Sequence, residues 1–171
     1  MKNTLRPHQS RAYDSMSQHD YGQIVIPTGG GKTYIMIADC LRRLSSSDET
    51  RTIVVVAPRI LLANQLSDEF ESVVDYVNIA HVHSGETHHF STTNCHELSV
   101  WHNNTVRHRM IFTTYHSLHR VLDSGVNIDT IYFDEAHNGT GKSFFESVKV
   151  TSNRNIRRYF FTATPRISRS K

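Results

Sequence analysis

Six short apolar runs recur along this chain, at 23–26, 52–57, 78–82, 109–113, 130–133 and 158–162. Each is rich in Val, Ile or aromatic residues and too short for a helix, so each reads as a buried strand. Between them lie stretches with helical spacing. Residues 34–44 carry Ile37, Ala38, Leu41 and Leu44 on one face, and 59–74 carry Leu62, Leu66, Phe70 and Val73. Shorter helical candidates lie at 115–122 and 143–150. Strands that alternate with helices and show continuous apolar runs predict an α/β fold, a mostly parallel sheet with helices on both faces.

Such sheets bind ligands at the carboxyl ends of their strands. The chemically capable segments of this chain follow strands in that way: 27–33, 58–59, 113–115, 134–137 and 162–165. They are expected to share one edge of the sheet and to act as one site.

The first of these segments reads Pro27-Thr28-Gly29-Gly30-Gly31-Lys32-Thr33. Three glycines let the backbone wrap tightly, so that several N–H groups point at one anion. The helix that follows adds its positive N-terminal end. Lys32 can reach the outer phosphates of a nucleotide, and the Thr33 hydroxyl can ligate Mg²⁺. The pattern G-x-x-x-x-G-K-[ST] places Gly where this chain has Ile26. A flexible glycine turn would be the bland reading; the strand before and the helix after favour a phosphate loop.

Asp134 and Glu135 put two carboxylates at the end of an apolar strand. A polar pair there needs a partner. A divalent ion on a triphosphate supplies one, with Asp134 holding Mg²⁺ and Glu135 orienting the attacking water and accepting its proton. His137, three residues beyond Asp134, is placed to sense the outer phosphate. A solvated turn capping the next helix is the alternative, and the phosphate loop weighs against it.

Taken together, these residues resemble superfamily 2 helicases. Residues 27–33, Asp134-Glu135-Ala136-His137 and Thr162-Ala163-Thr164-Pro165 occur in the order and rough spacing of that family's motifs I, II and III. Leu5-Arg6-Pro7-His8-Gln9 resembles the upstream glutamine motif, which implies adenine contact by Gln9 with Arg6 beside it. Ala57-Pro58-Arg59 and Thr113-Thr114-Tyr115 resemble motifs Ia and Ib, which implies contact with a nucleic-acid backbone. In the family, Thr162 and Thr164 would couple nucleotide to strand. The resemblance implies an N-terminal RecA-like ATPase domain that uses Mg-ATP to move on or unwind nucleic acid, closer to DNA-directed motors, restriction-enzyme motor subunits among them, than to RNA helicases, and acting on a single strand. Motifs IV to VI and the arginine finger do not occur in this sequence. A second RecA-like domain, in cis or from a partner in trans, is therefore expected. A nucleotide kinase would need an acceptor lid and no motif Ia or III. A binding module without turnover would not need Lys32, Thr33, Asp134 and Glu135 together.

The 171 residues carry a formal charge of +3. Six Arg or Lys and no Asp or Glu fall between Thr151 and Lys171. That stretch suits phosphate contact or a solvated tail equally. No apolar run approaches a membrane span and the N-terminus lacks a signal peptide's core. Cys40 and Cys95 have no framework spacing, so a reduced, intracellular setting is expected. The stretch 86–108 interrupts the α/β pattern, and Leu98, Val100 and Trp101 suggest a short helix within a surface excursion. Seven histidines fall between His81 and His108. Their spacing matches no common zinc pattern and reads as solvated loop histidines.

Overall fold

In the computed structural model, which describes residues 5–27, 31–46 and 48–164, the alternating pattern becomes one seven-stranded sheet. Its strands are β1 (Tyr21–Pro27), β2 (Thr52–Ala57), β3 (Val77–Val82), β4 (Phe90–Ser91), β5 (His108–Thr114), β6 (Thr130–Phe133) and β7 (Arg157–Thr164). The spatial order is β1-β7-β6-β2-β5-β3-β4, and all neighbours are parallel. This is the parallel α/β sheet that the strand–helix alternation predicts, in the RecA-like form that the resemblance implies.

The helices are α1 (Pro7–Gln18), α2 (Lys32–Ser45), α3 (Ile60–Glu71), α4 (Cys95–Asn104), α5 (Leu118–Asp123) and α6 (Lys142–Asn153). Strand β2 shows why they divide as they do. Every one of its residues is buried, and successive side chains point to opposite faces. Ile53, Val55 and Ala57 join a core built with Met16 of α1, Ile35, Met36 and Cys40 of α2, and Ala63, Leu66 and Phe70 of α3. Val54 and Val56 join the other core, with Leu98 of α4, Leu118, Val121 and Leu122 of α5, and Phe144 of α6. Each large aliphatic side chain so buried contributes about 1.5–3 kcal/mol.

One buried charge organises the first face. Asp39 of α2 is fully buried. It accepts hydrogen bonds from Arg42, from Arg43 Nε at 2.7 Å and from the Tyr132 hydroxyl of β6. Arg43 continues to the Tyr159 hydroxyl of β7 (2.9 Å) and the Met16 carbonyl of α1 (3.0 Å). A buried carboxylate is tolerable only when paired in this way.

Three local outcomes differ from the sequence reading. Helix α1 was not evident from apolar spacing, because only Gln9 and Met16 of its residues are buried. It is set by Pro7 at its first position and by Gln9 Oε1, which accepts from the Arg6 N–H at 2.8 Å. Residues 115–117 form a turn, so α5 begins only at Leu118. The excursion at 86–108 contains the expected helix, capped by Asn94, whose Oδ1 accepts from Glu97 N at 2.9 Å. It also contributes β4 to the sheet edge, where Phe90 stacks on Trp101.

Candidate functional site

The carboxyl ends of β1, β2, β5, β6 and β7 lie along one edge, as parallel strands require, and the predicted segments gather there. Register pairs Pro27 with Thr164, Ala57 with Thr114, and Val56 with Phe133. Thr28, Gly29, Gly30, Pro165 and residues 166–171, with the basic Arg166, Arg169 and Lys171, lie outside the described residues.

Gly31 is the N-cap of α2 and adopts φ +76°, the left-handed region. A Cβ would also come within 2.4 Å of Gln9 Nε2 and 3.1 Å of Arg6 Nη2, so the ends of these two side chains would have to shift. Gln9 Nε2 itself donates to the Gly31 carbonyl at 3.3 Å. Arg6 and Gln9 of the upstream motif therefore sit directly against Gly31 at the start of α2. Gln9 is only 3% exposed, with its amide spanning the Arg6 N–H and the Gly31 carbonyl.

Lys32 is the first residue of α2, and Thr33, half-buried, is the second. The Lys32 amine lies 2.5 Å from Glu135 Oε2 and 3.2 Å from Asp134 Oδ1. Burial disfavours its charge, but the hydrogen bond to Glu135 and the charges of Asp134 and Glu135 outweigh this and hold its pKa above the usual lysine value. Asp134 shows the opposite balance. Its burial dominates over the attraction of Lys32 and raises its pKa above the ordinary carboxylate range.

The acidic pair is aimed by backbone geometry. Asp134 N donates to the Val56 carbonyl at 2.8 Å, which continues the β6–β2 ladder one residue past β6. Glu135 then turns into the left-handed region at φ 51°, ψ 52°, and 136–138 form a 3₁₀ turn. Non-glycine residues rarely adopt this conformation, and such strain gathers at functional sites. Asp134 Oδ1 is buried and has no aligned hydrogen-bond donor, although Lys32 is close enough to pair with its charge. A hard oxygen in that condition fits a divalent cation such as Mg²⁺.

His137 Nδ1 lies 3.0 Å from the Thr162 hydroxyl, and its Nε2 lies 3.5 Å from Glu135 Oε1. The acidic turn and the end of β7 are thus joined by one imidazole. Thr164 is the last residue of β7.

The segments expected to meet nucleic acid divide. Pro58, Arg59 and Tyr115 line an open cleft of about 590 Å³ together with His116, His119 and Ser143. Arg59 is exposed and caps α3 in extended conformation. Thr113 does not reach this cleft. It is fully buried, and its hydroxyl donates to the Val82 carbonyl at 2.8 Å, because its position in β5 points inward. Thr114 is also buried, and its hydroxyl accepts from Ser117 N at 3.3 Å. The segment instead presents Tyr115, whose hydroxyl donates to the Asp134 carbonyl at 2.7 Å. Sequence reasoning gave Tyr115 no part in this link between cleft and acidic turn.

The histidine-rich stretch is also not what its composition suggested. His81 and His83 are buried, 3.0 Å apart between ring nitrogens, and His81 bonds to Ser67. His81 lies within β3 and His83 directly follows it, so a place in or beside a mostly apolar strand run was the available signal.

Several solved structures share this fold. The type ISP restriction-modification enzyme LlaGI, in a nuclease-deletion form with a DNA substrate mimic, superposes with a TM-score of 0.77 at 23% identity, covering 97% of this chain and 18% of that one. The Hef helicase domain of Pyrococcus furiosus gives 0.71 at 21% identity, covering 96% and 34%. The UvsW helicase of bacteriophage T4 gives 0.68 at 17% identity, covering 94% and 52%. The chain thus spans well under two thirds of each of these proteins. Comparison with curated protein sequences gives no significant match. Residues 2–167 match the family described as the type III restriction enzyme, res subunit. That match takes in nearly the whole sequence, and the chain belongs to this family.

Proposed function

We propose that this chain is the nucleotide-gripping domain of an ATP-driven superfamily 2 motor that translocates on or unwinds DNA. One observation carries the reading: the Lys32 amine bridges Glu135 at 2.5 Å and Asp134 at 3.2 Å, at the first turn of α2 and the edge of a parallel sheet. This is a phosphate-binding lysine parked on the acidic pair. Triphosphate offers it a stronger partner and frees both carboxylates.

In this reading Lys32 and the amides at the start of α2 hold the outer phosphates. Asp134, with the Thr33 hydroxyl, would hold Mg²⁺, which supplies charge neutralisation across the phosphate oxygens. Glu135 orients water and takes its proton. Gln9 and Arg6, packed on Gly31, frame the base side of the pocket. His137 and Thr162 relay the state of the acidic turn to β7. Pro58, Arg59 and Tyr115 offer a surface for the DNA backbone. DNA is favoured because LlaBIII and a Sulfolobus solfataricus SWI2/SNF2 core, both of this fold, have been solved with DNA, and LlaGI with a DNA substrate mimic. A second RecA-like domain, in cis or in trans, would supply the arginine finger and the rest of the strand cleft.

Calorimetric titration of Mg-ATP tests the reading. Loss of one charge-assisted phosphate contact costs about 1.5–3 kcal/mol. Lys32→Ala is expected to bind roughly tenfold more weakly or worse, and equal affinities would overturn the assignment.

A further inference from the structure

The loop between β3 and β4 runs along α3 from its first turn to its last. Gly85 packs on Ile60, where a Cβ would come within 2.4 Å of the Ile60 side chain. One turn further on, Asn64 Nδ2 donates to the Glu86 carbonyl at 3.2 Å. At the far end, the imidazoles of His88 and His89 both reach Glu71, the last residue of α3.

We propose that Glu71, His88 and His89 form a binding site for a divalent transition-metal ion of the zinc class. Both rings direct the same atom, Nε2, at one carboxylate oxygen, Glu71 Oε1, at 3.4 Å from His88 and 3.1 Å from His89. One ligand atom from each of the three residues lies within 4.8 Å of the others. Zinc binds imidazole nitrogen and carboxylate oxygen at about 2.0–2.2 Å in a tetrahedron, so ligand atoms stand about 3.3 Å apart. The two separations to Glu71 Oε1, 3.4 and 3.1 Å, fall on either side of that edge length. Two imidazoles and one carboxylate suit zinc, and the fourth position is open to water.

The surroundings of His89 support a ligand more than a chance surface contact. Metal-binding histidines are oriented through their other ring nitrogen. The His89 side chain is only 10% exposed, and its Nδ1 lies 3.4 Å from the Thr87 hydroxyl. Its ring stacks on buried His81 at 5.3 Å and 9°. His81 is in turn fixed by Ser67 and His83. His89 is therefore held in place before any ion arrives, whereas exposed His88 can swing onto it. A bound ion would fasten the loop to the end of α3, the helix that Arg59 caps at the cleft.

The test is titration of Zn²⁺ into metal-free protein in competition with a chromophoric chelator. One equivalent is expected to bind, and His88→Ala, His89→Ala and Glu71→Gln are each expected to weaken it at least tenfold. His102→Ala, on α4, is expected to leave the affinity unchanged. Zinc should raise the melting temperature of the wild type and not of the three variants. X-ray absorption of the zinc-bound protein should show nitrogen and oxygen neighbours without sulfur. Affinity unchanged in the His88→Ala/His89→Ala double variant, several weak equivalents in place of one, or a sulfur neighbour would each overturn the site. None of these readouts involves nucleotide, so the outcome is separate from that of the motor reading.

Discussion

The Nδ1 atom of His137 lies 3.0 Å from the hydroxyl oxygen of Thr162, across 25 residues of sequence. Glu135 sits at the other nitrogen of the same ring, 3.5 Å away. A change at the acidic turn therefore has one short path to the end of β7.

Removing the Thr162 hydroxyl should separate nucleotide binding from its consequences. Thr162→Val keeps the shape and loses the hydrogen bond. Mg-ATP affinity is expected to change less than threefold, while DNA stimulation of hydrolysis in protein that includes the second domain falls at least tenfold. Stimulation that survives intact would remove His137–Thr162 from the coupling path.

Gln9 has two tasks that one variant can read. Its amide bridges the Arg6 N–H and the Gly31 carbonyl, and the motif it belongs to implies recognition of adenine. Gln9→Ala leaves these part-buried backbone groups without that bridge, at a cost of about 0.5–1.5 kcal/mol per hydrogen bond. Denaturation is expected to show that loss, and titration with ATP and GTP is expected to show a preference for ATP in the wild type only. A variant that still favours ATP would leave Gln9 as a structural residue of the loop.

Asp39 is fully buried beneath Arg42, Arg43 and Tyr132. Asp39→Ala leaves two part-buried guanidinium groups with only neutral partners, and breaking a buried pair costs about 3–5 kcal/mol at most. Urea denaturation should register a loss of that order. A loss below about 1 kcal/mol, within the range of exposed ion pairs, would mean that solvent reaches the network.

His81 gives the fold a sensitivity to acid. Burial first, then the neighbouring His83, lowers its pKa from 6.5 to about 3. It is neutral in the folded chain and binds a proton more readily when unfolded. Stability from this group is fully present above pH 6.5 and is lost progressively as pH falls toward 3. Between pH 7.5 and pH 5 the loss is about 2 kcal/mol. Denaturation in chelator-treated buffer at the two pH values checks this, and His81→Phe is expected to flatten the difference. An equal slope in the variant would assign the acid sensitivity elsewhere.

Turnover by the 171-residue chain alone should stay well below about 1 s⁻¹, the low end of ordinary enzyme rates. An arginine finger is worth about 10³–10⁵ in rate for related chemistry, and the proposed source is the second domain. Phosphate release measured with and without DNA decides. Monomeric chain at or above that rate would show a complete site.

Strands were the most legible part of the sequence. The runs at 52–57 and 130–133 coincide with β2 and β6 because these strands are buried on both faces, so every position had to be apolar or neutral. The edge of the site was legible for a related reason: parallel topology forces all carboxyl ends to one side. Helix α1 was hidden because it buries only Gln9 and Met16 and so shows no apolar stripe. Thr113 was misjudged because a motif marks a segment and cannot say which side chain the pleat turns inward. Glu71 could not be joined to His88 and His89 by spacing at all. One ligand stands on a helix and two on a loop after the next strand, and only the fold brings them together.

Glu135 stands in the left-handed region where glycine would rest at ease. The fold is thus slightly at odds with the residue that the proposed chemistry requires there. Glu135→Gly would relax the backbone and abolish proton transfer in one step. The same substitution would take away the partner of the Lys32 amine, so backbone ease and the ion pair pull this position in opposite directions.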